Sequence, residues 1–298
     1  MTVALKGLVP SVVLPLREDL SFAHRNYIVQ IQAFARMPLV GGVVVNDEVG
    51  EIAGLSAEER ARVVAVAYEA APDGFPIIAG IKADALQEAV RLGNDAKEQG
   101  AAALLVLPGS NGIDSPVEFH RELAESVGLP LVAYQGSSAT GASYDVDTLT
   151  KICDSAAVIG LKTAIDDVAV YREQYDAVRE KVAVLVANEG PGLVETLVVG
   201  ADGASLAVSN VLPKSWSVMV DNAIGGRADA AREWFDTLGS KLIATLRNGD
   251  KTAALTKTAL VMSAFLPNNL VRPPAVGADD TDSAAVAELL GSAGLLPG

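Results

Sequence analysis

Ala156-Ala157-Val158-Ile159-Gly160-Leu161-Lys162 is a run of small and β-branched residues that ends on a single charge. A continuous apolar run of this length suits a strand buried on both faces, as strands of parallel sheets are. A lysine at the C-terminal tip of such a strand is half desolvated, and desolvation favours the neutral amine, a nucleophile towards carbonyls. A similar run, Leu129-Pro130-Leu131-Val132-Ala133-Tyr134, ends on a tyrosine 28 residues earlier. Two neighbouring strands would then carry an amine and a phenol at the same end. The competing explanation is a lysine that snorkels to solvent from a strand tip and has no chemistry.

Outward from these two runs the pattern repeats. Short apolar segments end near Leu14, Val45, Gly80, Leu107, Tyr134, Lys162, Ala187 and Leu206, at spacings of 19 to 35 residues. Helical patterns lie between them. Ser56-Ala57-Glu58-Glu59 has the spacing of a capping box, and helices are predicted over 84–99, 115–127, 145–154 and 166–179, each opening at a Ser or Asp suited to an N-cap. Eight strand–helix units at this spacing predict a (β/α)8 barrel, an α/β TIM barrel with additional C-terminal helices. A doubly wound sheet is the competitor, but no Gly-rich phosphate fingerprint follows the first strand. Residues 1–226 are expected to form the barrel. Residues 227–298 are expected to form a helical extension packed on it as one structural unit, with helices near 227–265 and 282–293 and a rigid connection over 268–281. In a barrel the C-terminal strand ends hold the active site, which favours the catalytic role for Lys162.

Composition narrows the function classes. Half of the 298 residues are apolar and 5% are aromatic, so the core is built from Ala, Val, Leu and Ile. A net charge of −14 and a pI near 4.6 argue against nucleic acid and anionic membrane surfaces as partners. Cys153 is the single cysteine, which excludes an intramolecular disulfide and fits a reducing compartment. With only His24 and His120 beside it, a His/Cys zinc site is not supported. The opening MTVALKGLVPSVVLPL lacks a basic region with a cleavage site, and no run reaches the roughly 18 apolar residues of a membrane span. A cytoplasmic protein is expected.

The motifs around Lys162 resemble a known family. Gly7-Leu8-Val9-Pro10 through Leu14-Pro15-Leu16 is similar to the first strand of the dihydrodipicolinate synthase / N-acetylneuraminate lyase family of class I pyruvate-dependent aldolases, and Val49-Gly50-Glu51-Ile52-Ala53-Gly54-Leu55-Ser56 to its second-strand signature. Tyr134, with Thr140-Gly141 after it, falls at the family's catalytic tyrosine and Gly160-Leu161-Lys162 at its Schiff-base lysine. Gly200-Ala201-Asp202-Gly203-Ala204 and Ser209-Asn210-Val211-Leu212-Pro213 resemble the eighth-strand region, and Val271-Arg272-Pro273-Pro274 the C-terminal one. The resemblance runs essentially end to end and implies a TIM barrel, a lysine imine and a homo-oligomer, expected to be a homotetramer.

This chain also departs from the family's biosynthetic synthases. Their paired hydroxyl residues before Gly-Glu are Glu48 and Val49 here. Val49 keeps only its backbone N–H; Glu48 is either an acid or base or a solvated loop residue. Gly109-Ser110 stands where the family has a tyrosine pair, one of which reaches the neighbouring subunit's site. Ala139 replaces the arginine that binds the second substrate's carboxylate, and Gln135 replaces an asparagine. Glu51 is expected to anchor its loop. Aspartate semialdehyde is therefore not the expected partner of pyruvate.

What remains is coherent chemistry. Lys162 would attack the ketone of a 2-oxo acid and lose water to give an iminium, an electron sink that stabilises an enamine. Tyr134 would move protons. The N–H groups of Val49 and Gly50 would hold the 2-oxo acid carboxylate, Glu48 would lie at the pocket mouth, and the Gly203-Ala204-Ser205 turn would bound it. No metal or organic cofactor is needed. Three activities are compatible: a lyase that makes or breaks a C–C bond between pyruvate and an aldehyde, a dehydratase of a 2-oxo-3-deoxy sugar acid, and a family member that binds small molecules without turnover.

Overall fold

The structure, a computed structural model, describes residues 3–108, 114–136, 143–155 and 157–296. Its strands are β1 (Gly7–Leu8), β2 (Val43–Val45), β3 (Ile77–Ala83), β4 (Ala103–Pro108), β5 (Leu131–Gln135), β6 (Val158–Thr163), β7 (Ala183–Val186) and β8 (Gly203–Ala204). All pair in parallel, in the order β1-β8-β7-β6-β5-β4-β3-β2. Parallel bridges Leu8↔Val40 and Ser11↔Val44 join the two ends of that order, so the ring closes. This is the expected TIM barrel. Strand interiors such as Val43–Val45 and Leu131–Ala133 are buried on both faces, the reason their sequences do not alternate.

The first and last strands are shorter than their apolar runs. The run ending at Leu14 forms a ladder only to Leu8, because Pro10 has no N–H to donate. Pairing continues loosely: Val44 N–H donates to the Pro10 carbonyl (2.8 Å) and Val12 N–H to the Val44 carbonyl (2.9 Å). At β8 the backbones approach closely, and a Cβ on Gly203 would lie 2.1 Å from the Gly7 carbonyl oxygen.

Between the strands lie α1 (His24–Ala35), α2 (Ala57–Ala70), α3 (Leu86–Glu98), α4 (Pro116–Val127), α5 (Val146–Cys153), α6 (Val168–Val178), α7 (Leu193–Val199) and α8 (Pro213–Ile224). Ser56 and Glu59 form the capping box expected at α2. Asp145 caps α5 as expected, but Asp167, not Asp166, caps α6. Asp166 instead accepts the Gly192 N–H (3.1 Å) and ties the β6 loop to the β7 loop. Ser115 lies at φ +49° and makes no cap bond; Pro116 opens α4. Beyond α8 follow α9 (Ala228–Trp234), a π-helical turn over Phe235–Gly239, α10 (Ser240–Leu246), α11 (Thr252–Met262) and α12 (Asp280–Ser292). No helix among the described residues is long and apolar enough to cross a membrane.

Candidate active site

Lys162 lies in β6 in register with Tyr134 of β5, so both side chains leave neighbouring strands at the same height. Lys162 is 7% exposed. Its Nζ donates to Ser11 Oγ (2.9 Å) and to Asp47 Oδ2 (3.1 Å). The desolvated amine expected at this tip therefore faces a counter-charge that sequence reasoning passed over. Ser11 Oγ lies 3.5 Å from Ser205 Oγ, so β1, β6, β8 and the loop after β2 meet at this amine.

The loop after β2 is held by backbone reversals. Asn46 and Glu51 take left-handed φ values of +56° and +57°. A Cβ on Gly80 would fall 1.9 Å from the Asn46 carbonyl oxygen, so only glycine lets β3 pass beneath the turn. Asp47 turns inward and is buried, whereas Glu48 is exposed along the cavity wall. Val49 is buried. The Gly50 N–H, expected to hold a substrate carboxylate, donates instead to Asp47 Oδ1 at 3.2 Å. Glu51 turns away from the amine: Oε1 accepts from the buried Lys257 and Oε2 from the Arg272 N–H (2.8 Å), which anchors the loop to α11 and the C-terminal segment.

Tyr134 lies at the cavity wall, where burial and then the negative charge of Glu48 push its phenol well above the ordinary tyrosine range. It is a protonated phenol at neutral pH, a donor before it is a base. Gln135 faces away and clamps Tyr144 through two 3.0 Å bonds. Across the cavity, Glu189 has a 4% exposed side chain; it forms an ion pair with Arg247 Nε (3.0 Å) and accepts the Val208 N–H (2.7 Å). Burial raises its carboxyl above the usual range, and Arg247 opposes that.

These groups line a cavity of about 610 Å³ at the C-terminal strand ends, which also receives Lys82 and Arg272. Among the described residues six carboxylate side chains and four cationic ones line it. No group of three or more His, Cys, Asp or Glu among the described residues is placed to hold a metal ion. Lys162, Tyr134, Glu48, Val49 and Ser205 line the cavity at this end of the barrel, with Gly50 beside Asp47. Gly109-Ser110, Ala139 and Thr140-Gly141 lie outside the described residues. Sequence reasoning missed Ser11, Asp47, Glu189 and Arg247. A lone hydroxyl inside the first apolar run was the signal for Ser11, and an acid two residues past the seventh run that for Glu189; for Asp47 beside Glu48, the backbone turn alone decides which acid points inward.

The model of the dihydrodipicolinate synthetase family matches residues 4–293. The chain belongs to this family. Within the dihydrodipicolinate synthetase family it is 30% identical over 193 residues, 64% of this chain and 66% of the relative, to the 4-hydroxy-tetrahydrodipicolinate synthase of Pseudomonas putida. It is 28% identical over 239 residues to that of Syntrophobacter fumaroxidans, covering 78% of this chain and 80% of the relative. Among solved structures, the chloride-inhibited dihydrodipicolinate synthase of Acinetobacter baumannii complexed with pyruvate superposes with a TM-score of 0.90 at 25% identity, over 99% of this chain and 100% of that one. The family prophage protein YagE of E. coli K12, in complex with pyruvate, shares the fold at TM-score 0.87 and 22% identity, over 98% of this chain and 99% of that one. The family resemblance expected from the motifs around Lys162 is thus borne out.

Proposed function

We propose that this chain is a Schiff-base-forming lyase that makes or breaks a C–C bond between pyruvate and an aldehyde. One observation carries the proposal: a lysine buried at the tip of β6, its amine in the cavity, beside a tyrosine at the paired position of β5. The Lys162 amine attacks the C2 ketone of a 2-oxo acid, and loss of water leaves an iminium. That cation takes up the electron pair released when the C3–C4 bond breaks or a C3 proton leaves, and gives an enamine. Tyr134, protonated at rest, delivers a proton to the aldehyde oxygen in the condensing direction and removes it in cleavage. The Val49 N–H would hold the 2-oxo acid carboxylate, and the 3.2 Å contact between Gly50 N–H and Asp47 is one that this carboxylate would compete for. Ser205 bounds the pocket behind it.

The resemblance to the family's biosynthetic synthases implies aspartate semialdehyde as second substrate. The excess of carboxylates around the cavity, with Arg247 already paired to Glu189, supports a neutral, hydroxylated or apolar aldehyde instead. A dehydratase acting through the same imine is the second possibility, favoured by Glu48 on the cavity wall, where it would assist loss of a hydroxyl.

Incubation with pyruvate and borohydride, followed by peptide mapping, should label Lys162 alone. Label on Lys82, which lines the same cavity, or no label, refutes the mechanism. A panel of 2-oxo-3-deoxy acids then separates the activities. Pyruvate release supports the lyase, a 2,5-dioxo acid without pyruvate the dehydratase, and ligand binding that survives loss of Lys162 a binding protein. Robust turnover of aspartate semialdehyde would refute the neutral-aldehyde assignment.

A further inference from the structure

Asp47 holds a position that the proposed lyase chemistry does not yet use. One carboxylate oxygen lies 3.1 Å from Lys162 Nζ and the other accepts the Gly50 N–H, so the group is aimed. The Lys162 and Asp47 side chains are 9% and 6% exposed. Among the described residues the amine's hydrogen bonds go to Ser11 and Asp47; none goes to Tyr134. The other titratable groups around the Lys162–Asp47 pair are Tyr134 from β5, Tyr27 from α1 and Glu48 on the Asp47 side, and Glu189 after β7 on the Lys162 side. Burial pushes the Tyr27 and Tyr134 phenols upward, so neither takes a proton from an ammonium at neutral pH.

We infer that Asp47 is a catalytic acid–base of imine formation, taking a proton from the Lys162 ammonium and returning it to the carbinolamine hydroxyl, which leaves as water. This rests on the imine chemistry proposed above. Ammonium and carboxylate first become amine and carboxylic acid; a buried ion pair carries a desolvation cost that the neutral pair does not. The amine adds to the C2 ketone, and a proton passes from nitrogen to the new alkoxide. The Asp47 acid then protonates the resulting hydroxyl, the C–O bond breaks, and the nitrogen lone pair forms the C=N bond. Water, an iminium and the Asp47 carboxylate result, so no proton is gained or lost overall. The carbinolamine oxygen sits on the carbon bonded to Nζ, so a group already in contact with Nζ reaches it without rearrangement. Afterwards the carboxylate remains as the iminium's counter-ion. On product release it activates the water that attacks the iminium. Tyr134 is left to the proton transfers of C–C bond making and breaking, which divides the chemistry between two side chains.

The test is the rate of Lys162 labelling by pyruvate under borohydride quench, with exchange of oxygen from isotopically labelled water into the pyruvate ketone as a second readout. Neither depends on the aldehyde. With Asp47 taking and returning the proton inside the site, the wild-type labelling rate should be nearly flat with pH across the neutral range. Asp47→Asn should slow both readouts by roughly 10²- to 10⁴-fold, the range of a general acid–base. The remaining rate should climb about tenfold per pH unit, because solvent base must then take the ammonium proton. Asp47→Glu, which keeps a carboxylate, should restore the flat profile. A merely structural role would lower the fraction of competent protein without changing the slope. Wild-type label on Lys162 together with an unchanged rate and slope in Asp47→Asn overturns this inference alone, and absence of wild-type label overturns the imine chemistry with it. If the variants do not fold, the wild-type profile decides: a tenfold rise per pH unit shows that no internal base serves the amine.

Discussion

Lys257→Met removes the cationic half of the ion pair that ties the loop bearing Asp47 to α11. Both side chains are fully enclosed, at 0% and 1% exposure. Burial pulls the Lys257 amine below its ordinary range, and Glu51 is what opposes that. Without the amine, the Glu51 carboxylate keeps the Arg272 N–H at 2.8 Å, and the Leu270 carbonyl loses its 2.6 Å donor. Breaking one partner of a buried pair leaves an uncompensated charge and costs about 3–5 kcal/mol. Unfolding entropy near 2.1 cal/mol/K per residue amounts to roughly 0.6 kcal/mol/K for a chain of this length, so the variant should melt about 5–8 °C lower. Urea unfolding followed by circular dichroism, with refolding checked, gives the free energy. Glu51→Leu/Lys257→Met, which removes both charges, should recover most of the loss. A single variant costing under about 1 kcal/mol, or a double variant no better than the single, would refute the claim that an enclosed charge is at stake. The recovered double variant also reports on function: if the pair positions the Asp47 loop, pyruvate labelling of Lys162 stays slow in a stable protein.

Tyr134→Phe keeps the ring and removes the hydroxyl; turnover should fall roughly 10²- to 10⁴-fold while Lys162 still traps pyruvate. A fully active variant would move proton transfer to Glu48. At Glu189 the folded carboxyl binds its proton more readily than the unfolded one, because burial raises it above 4.5. Its contribution to stability is complete below that value and declines as pH rises through the folded-state value. Glu189→Gln should therefore flatten stability against pH above 4.5 in denaturant titrations, and an unchanged slope would refute the assignment. Light scattering at micromolar concentration should find a homo-oligomer of four chains; a monomer would contradict it.

Lys162, Tyr134 and the barrel were legible in the sequence because they rest on local rules. A strand buried on both faces writes itself as an unbroken apolar run, and a barrel as eight such runs separated by capped helices. The capping box at Ser56 and Glu59 and the cap at Asp145 obey the same locality, since acceptor and donor lie three residues apart. Asp167 displaced Asp166 as a cap because Asp166 is occupied 26 residues away, by the Gly192 N–H. The charges around the amine depend on such distances throughout. Ser11 reaches Lys162 across 151 residues, Asp47 across 115, and Lys257 meets Glu51 across 206. Of the adjacent acids Asp47 and Glu48, composition says only that two carboxylates stand at a strand tip. The left-handed turn at Asn46 and the bare backbone of Gly80 beneath it send one to the amine and the other to solvent. Lys162 and its barrel were thus present in the linear pattern, while its charged partner emerged only when the closed ring brought β1, the β2 loop and β6 to one point.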